Sequence, residues 1–156
     1  MRDSYSRQAD QLFDRIRSAC PSFVPVDDAA APEWQDEPYP LGYIRVAGLA
    51  RHLVRLASDG RLAQIAPVLD IAEAVLVDGD EYTQDLVTVG LLEDLQDDCL
   101  RTDGRVRLAD VRERLGPKSK LAWDDLILFW YGPPDEAARR LPHGSLPDRS
   151  WRRRHP

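Results

Sequence analysis

The amino-acid sequence predicts an all-α protein, built as a single-domain bundle or as a short α-solenoid-like array of about six helices. Apolar residues recur at helical spacing through most of the chain, and turn signals such as "SDG" at 58–60 and "DGD" at 78–80 separate the periodic segments. No convincing strand pattern occurs. A length of 156 residues is that of one ordinary domain.

The first four helices follow from the spacing of their apolar residues. Residues 3–19 form an amphipathic first helix, residues 41–58 the second, and residues 61–77 the third, in which Pro67 predicts a kink. The fourth helix runs over residues 80–100. It begins with acidic residues, which suit the positive end of a helix dipole.

Two further helices are predicted in the C-terminal half. The stretch "LADVRERL" forms a short one, and the pair Gly116 and Pro117 ends it and starts the next, "KSKLAWDDLILFWYG". In this last helix we expect the large apolar side chains to cluster as core rather than to line a ligand cleft: Leu121, Trp123, Leu126, Ile127, Phe129 and Trp130.

Two proline-rich segments complete the chain. Residues 21–40 hold five prolines and no periodicity, which predicts a surface loop with little regular structure. The last 25 residues hold five prolines and end in an arginine cluster, "RSWRRRHP", which predicts a loosely packed or wrapping tail. The predicted organisation is therefore an all-helical domain at 1–131 with a Pro-rich loop at 21–40, followed by a Pro/Arg-rich C-terminal tail at 132–156.

Composition and cysteine usage predict a cytoplasmic protein. The chain is 43% apolar and 31% charged, and no apolar run approaches the roughly 18 residues of a membrane span. The N-terminus alternates charged with apolar residues, unlike a secretory signal. Cys20 and Cys99 lie far apart and form no metal-type spacing, so a reducing compartment fits without a disulfide.

The most unusual segment is acidic. Residues 62–100 contain ten carboxylates and no Lys, Arg or His, whereas the whole chain has a net charge of −6. The rest of the chain is therefore net positive, and the negative charge is local. An acidic surface attracts basic partners and repels nucleic acid and anionic lipid. We expect neither a nucleic acid nor a membrane as partner.

On a helical wheel, the two halves of the fourth helix present their apolar residues on opposite faces. This exchange predicts a central helix that changes packing partners midway, with Gly90 allowing close backbone approach at a crossing. In the second half, four carboxylates form one stripe opposite the buried leucines and are the first choice for partner contacts: Glu93, Asp94, Asp97 and Asp98.

Two interpretations of this stripe stay open. A merely soluble face normally mixes Glu with Lys or Arg and gains about 0.2–0.5 kcal/mol for each i, i+4 pair. The absence of cations therefore favours a partner-binding surface. The alternative is a solvated acidic face, or an intramolecular partner for the arginines of the tail. Four earlier carboxylates are further partner-binding candidates, although they also suit helix capping: Asp78, Asp80, Glu81 and Asp85.

No catalytic, nucleotide-binding or metal-ligand motif occurs in the sequence. The three histidines stand singly, and the glycine-rich phosphate-binding patterns and the G-x-S-x-G nucleophile pattern are missing. His52 is expected to be a half-buried helix residue. Carboxylate pairs such as Asp97 and Asp98 are expected on an exposed convex face, where nothing would shift a pKa. We therefore predict no enzyme, no metal site and no cofactor.

Two stretches, "DLVTVGLLEDLQD" at 85–97 and "LGPKSKLAWDDLILFW" at 115–130, resemble a family of small all-helical bacterial proteins found as immunity proteins beside polymorphic toxins. The resemblance extends over residues 40–131 and is most specific at "VDGDEYTQDLVTVGLLEDLQ". It implies a protein without catalysis that binds and neutralises a cognate toxin domain, one with a basic active-site cleft. The alternatives are a scaffold or regulatory protein-binding module and, less favoured, a small helical enzyme.

Overall fold

The computed structural model describes residues 2–34 and 41–147, and the side chains of residues 7–33 and 42–147. Within these ranges the chain forms eight helices and no strand, which confirms the predicted all-α domain. The helices are α1 Arg2–Ala19, α2 Val24–Trp34, α3 Leu41–Ser58, α4 Ala66–Asp78, α5 over residues 81–100, α6 Leu108–Glu113, α7 Pro117–Tyr131 and α8 Pro134–Arg140.

Two helices were missed by the sequence prediction, and both lie in proline-rich segments. The predicted loop at 21–40 is wrong over residues 21–34, which form a 3₁₀ turn, Pro21–Phe23, and then α2. Pro25 lies in the first turn of α2, where a backbone N–H has no helical acceptor, so the ring costs the helix nothing. Residues 35–40 lie outside the described part of the chain.

Of the two alternatives predicted for the tail, loosely packed or wrapping, loose packing is wrong for residues 134–141. Pro134 begins α8, and both Ala137 and Leu141 are buried in the core. The arginine cluster at 149–154 lies outside the described residues. Pro67 also differs from expectation, because it lies in the first turn of α4 and starts that helix rather than kinking it.

Helix α5 runs through the centre of the fold and contains an unusual segment. Its ends, Glu81–Asp85 and Glu93–Leu100, are α-helical, but the middle, Leu86–Leu92, is a π-helix. A π turn holds more residues than an α turn, so it shifts the faces presented before and after it. The helical wheel that predicted an exchange of faces assumed an α-helix throughout, whereas the π segment turns the later apolar residues back toward the earlier side. The predicted change of packing partner midway is therefore wrong for residues 86–100, because the π segment and the last segment, Glu93–Leu100, both pack mainly against α3.

Polar contacts between helices fix the elements that surround α5. Glu73 of α4 accepts hydrogen bonds from the backbone N–H groups of Lys118 and Ser119, at 2.9 and 2.8 Å, and so caps the start of α7. Arg112 and Asp124 form a bidentate pair with both bonds at 2.8 Å, which ties α6 to α7. Among the described residues, no helix is long and apolar enough to span a membrane.

Candidate partner-binding face

The last segment of α5 carries the four carboxylates predicted as the main contact surface, and their exposure is uneven. Asp97 is exposed, whereas Glu93, Asp94 and Asp98 are partly buried. Asp98 forms an ion pair of 3.2 Å with Arg101, and only 13% of its side chain is exposed. The stripe is therefore a partly covered face rather than the fully convex surface that was predicted.

The partial cover shifts the pKa of two carboxyl groups, so the expectation that nothing would shift a pKa here is wrong. Burial, together with the negative charges of Asp98, Asp97 and Glu93, raises the pKa of Asp94 to about 6, against a smaller opposing effect of Arg51. Burial also raises the pKa of Asp98, although Arg101 and Arg51 oppose it.

The cations that the acidic segment lacks are thus supplied in part from neighbouring elements. Arg51 projects from α3, and Arg101 follows α5. Even so, Glu93, Asp94 and Asp97 form no ion pair with any residue that the structure describes. These three carboxylates leave a net negative face on the surface.

Of the other four predicted residues, Asp78 ends α4, and Asp80, Glu81 and Asp85 lie at the start of α5. Asp85, the nearest of them in sequence, is about 12 Å along the helix from Glu93 at about 1.5 Å per residue. Asp80 is the N-cap, because its carboxylate accepts from the backbone N–H of Thr83 at 2.8 Å and from the Thr83 hydroxyl at 2.6 Å. The capping interpretation is confirmed for Asp80. Asp78, Glu81 and Asp85 have exposed side chains. The fold does not bring them together with the acidic stripe at the end of α5.

The sequence prediction missed a pair of exposed aromatic residues on α7. Phe129 is 77% exposed and Trp130 49%, and their rings meet edge to face with centroids 5.0 Å apart. Leu121 is also exposed, so the predicted core cluster is wrong for these three residues. The signal was present in the unbroken apolar run 126–131, because a helix on the surface buries one face only.

The exposed aromatic pair directly precedes Tyr131, which lies beside the acidic face. Burial raises the pKa of Tyr131, and the negative charges of Asp97 and, more weakly, Glu93 add to the rise, while Arg140 opposes it. The guanidinium of Arg140 lies 5.7 Å from the centroid of the Tyr131 ring. We use the term partner face for the carboxylates Glu93, Asp94 and Asp97 together with Phe129 and Trp130, the exposed pair next to Tyr131 in sequence.

A family model described as a domain of unknown function, DUF7674, matches residues 13–131. The chain belongs to this family. Comparison with curated proteins and with solved structures gives no match. The region matched to DUF7674 runs from α1 to the end of α7 and so contains the whole partner face, whereas α8 follows it.

One contact in this DUF7674 domain has the form of a catalytic dyad. The hydroxyl of Ser22 lies 2.8 Å from Nε2 of His52. His52 is only 7% exposed, so it is more buried than predicted, and its Nδ1 has no hydrogen-bond partner among the described residues. The third group that would orient the ring of a nucleophile-activating histidine is thus not in place. In the described part of the DUF7674 chain, no group of three or more His, Cys, Asp or Glu side chains is arranged to hold a metal ion.

Proposed function

We propose that the protein is a non-catalytic immunity protein that acts in the bacterial cytoplasm by binding a cognate toxin domain, and that it binds through the partner face. The observation that supports this proposal is that Tyr131, beside the unpaired carboxylates Asp97 and Glu93, ends the same helix that exposes Phe129 and Trp130. Aromatic residues are enriched at the energetic centres of protein interfaces, and an exposed cluster of them marks an interaction site.

Charge supplies the second part of the argument. Glu93, Asp94 and Asp97 repel one another, and the raised pKa of Asp94 reflects burial and this repulsion. A basic surface placed against them would relieve the repulsion and accelerate association by steering. A toxin domain with a basic active-site cleft is a partner of this kind, and the acidic face would occupy the place of an anionic substrate.

The exposed aromatic pair also fits a scaffold or regulatory module, which is the second candidate. The two functions differ in the partner that they require. An immunity protein binds the product of the toxin gene beside its own gene, whereas a regulatory module binds a protein encoded elsewhere. Binding to the adjacent gene product therefore distinguishes them.

The experiment measures affinity for the adjacent gene product at two salt concentrations. We expect the double variant Glu93→Lys and Asp97→Lys to bind at least about tenfold more weakly at low salt, with a smaller difference at high salt. The matched control, Asp70→Lys with Glu113→Lys, changes the net charge equally at exposed positions outside the partner face. We expect it to bind almost as the wild type does.

A second pair of variants tests the aromatic part of the partner face. Phe129→Ala with Trp130→Ala should weaken binding by about tenfold or more, since truncating a central aromatic contact costs about 2 kcal/mol or more. Leu121→Ala, an exposed apolar residue earlier on α7, is the control. Wild-type affinity in both folded double variants would contradict the partner face. No binding of the adjacent gene product to the wild type would contradict the immunity function.

A further inference from the structure

We propose that the cavity at the end of α5 is a second binding site, for a small amine whose apolar body is about the size of an indole ring. This site is separate from the partner face and does not depend on the proposed function. The cavity lies where three parts of the chain meet: the last turn of α5, the turn that leads into α6, and the segment 142–145 that follows α8. The inference rests on the size and lining of this cavity, on its preformed walls and on one unpaired carboxylate.

The cavity is large enough for the body of such a ligand. It holds about 260 Å³, whereas an engineered apolar cavity of about 150 Å³ binds benzene. Its lining is mainly apolar and is formed by Leu100, Val106, Leu108 and Pro142, with Cys99 beside them. Transfer of an apolar ring from water to such a surface is favourable.

Hydrogen bonds fix two of the three walls before any ligand binds. The hydroxyl of Thr102 donates to the carbonyl of Cys99 at 2.7 Å and accepts from the backbone N–H of Val106 at 3.0 Å, which holds the turn before α6. On the other side, the backbone N–H and the hydroxyl of Ser145 both donate to the carbonyl of Pro142, at 3.1 and 2.6 Å. A ligand that enters between fixed walls loses little affinity to ordering of the protein.

Asp103 supplies the charge that favours an amine. It lines the cavity, its side chain is exposed, and it forms no ion pair within the described part of the chain. An ammonium group is a cation with hydrogen-bond donors, whereas a carboxylate accepts hydrogen bonds only. A bound amine would therefore pair with Asp103 while its apolar body lies in the cavity.

The basic residues near the cavity do not cancel this preference. Arg107 also lines it, but donates two hydrogen bonds to Asp110, at 3.0 and 2.8 Å, so its charge is already paired. Arg105 belongs to the same turn and lines a different groove. His143 lines the cavity as well, so the test is made at pH 8, where an ordinary histidine is uncharged.

Cys99 shows that the inner end of this site lies in a negative field. Burial raises the pKa of the Cys99 thiol to about 12, and the negative charges of Asp98 and Asp110 add to the rise. The thiol is therefore uncharged at neutral pH and does not act as a nucleophile. A field that opposes a thiolate favours a bound cation.

The test is a titration of the full-length protein, followed by NMR at the amides of Gly104 and Ser145. Three probes share one ring: tryptamine carries an ammonium group, 3-methylindole no charge, and indole-3-propionate a carboxylate. We expect tryptamine to bind about threefold more tightly than 3-methylindole, and indole-3-propionate about threefold more weakly, because an exposed charge pair contributes modestly. Ethylamine, which lacks the ring, should bind at least about tenfold more weakly than tryptamine, since burial of the ring provides most of the affinity.

Variants then locate the site. Asp103→Asn removes the charge and keeps the backbone conformation, because Asn tolerates the left-handed φ of 53° at this position. We expect it to lose the preference for tryptamine while it binds 3-methylindole as the wild type does. Asp125→Asn, at an exposed position on α7, is the matched control and should keep the preference. Leu100→Trp, which fills the cavity from its half-buried lining position, should abolish binding of all three indoles, with circular dichroism as the folding control.

Three results would each overturn the proposal. The first is no shift at the Gly104 and Ser145 amides with any probe. The second is tighter binding of indole-3-propionate than of tryptamine. The third is an unchanged preference for tryptamine in Asp103→Asn, a variant whose folding does not depend on filling the cavity.

Discussion

Gly90 of α5 and Val46 of α3 approach so closely that a Cβ atom at position 90 would lie 2.8 Å from Cγ2 of Val46. The ring of Tyr43 lies next in order, at 3.5 Å from the same point. Val46 is buried and cannot move outward, since it packs in the main core. The contact confirms that position 90 lies at a helix crossing, and it falls inside the π segment.

A leucine at position 90 should therefore destabilise the fold. We expect Gly90→Leu to lower the free energy of unfolding by about 1–3 kcal/mol, measured by urea denaturation, because extra methylene groups in a packed crossing force side chains and backbone to shift. Gly48→Ala on α3 is the matched control, because its Cβ meets open space and alanine favours a helix by up to about 1 kcal/mol. Equal stability of Gly90→Leu and wild type would place the crossing elsewhere.

The fold could be predicted from the sequence where apolar periodicity and turn signals agree. Predicted residues 41–58 match α3, Leu41–Ser58. The break in the apolar period of α5 near Gly90 was visible in the sequence, and it falls inside the π segment, Leu86–Leu92. Periodicity failed at α2 and α8, since prolines in a first turn resemble those of a loop in sequence. Burial of Phe23, just before α2, and of Ala137, in α8, distinguishes these helical segments from surface loops.

The candidate site was less predictable, because its properties come from contacts between elements. A helical wheel places Asp94 on the outer face but does not show Arg51 or the degree of burial that raises the pKa of Asp94. The exposure of Phe129 and Trp130 depends on which face of α7 meets α4 and α5. The Glu73 cap joins residues more than forty positions apart, and no local pattern encodes it.

Loss of the Glu73 cap should weaken the docking of α7. Its carboxylate accepts two backbone N–H bonds and one from the Ser119 hydroxyl at 2.7 Å. We expect Glu73→Ala to lower the free energy of unfolding by about 2–3 kcal/mol, measured by denaturation, with a smaller loss for Glu73→Gln. Asp70→Ala, exposed on the same helix, is the control. An unchanged free energy of unfolding in Glu73→Ala would mean that water satisfies the N–H groups of α7 as well as the Glu73 carboxylate does.

The same cap predicts a pH dependence. Burial alone would raise the pKa of Glu73, but the hydrogen bonds from Ser119 and Lys118 outweigh it and lower the pKa below its usual value. A lowered pKa contributes stability that is present above the unfolded-state value and is lost as the pH falls through the folded-state value. The difference between wild type and Glu73→Gln should therefore shrink below about pH 4. A difference that persists unchanged in acid would contradict this assignment.

The effect of the Arg55 charge on His52 can be tested by titration. Burial and then the charge of Arg55 lower the pKa of His52, so Arg55→Gln should raise that pKa toward the ordinary value without reaching it, because burial remains. NMR titration of the imidazole protons measures the change. Arg61→Gln, an exposed arginine after α3, should leave the His52 titration unchanged. An unchanged pKa of His52 in Arg55→Gln would mean that solvent screens the charge of Arg55.

The stability that Asp94 contributes should depend on pH in the opposite direction to that of Glu73. Its folded-state pKa is raised to about 6, so the folded chain holds a proton that the unfolded chain releases at lower pH. The favourable contribution is complete below the unfolded-state pKa, near 4, and is lost as the pH rises through about 6. At neutral pH the ionised Asp94 therefore destabilises the fold, through burial and repulsion by its acidic neighbours.

Asp94→Asn keeps the shape of the side chain and removes the charge. We expect it to raise the free energy of unfolding at pH 8 by about 1 kcal/mol, a value reduced by solvent screening of a half-buried group, and to match the wild type near pH 4. Denaturation at a series of pH values gives the pH at which the free energy of unfolding of Asp94→Asn begins to exceed that of the wild type. Asp70→Asn, at an exposed position, is the control. Because Asp94 belongs to the partner face, the stabilised variant should also bind a basic partner more weakly. A gain in stability that is equal at pH 4 and pH 8 would show that packing, and not charge, is responsible.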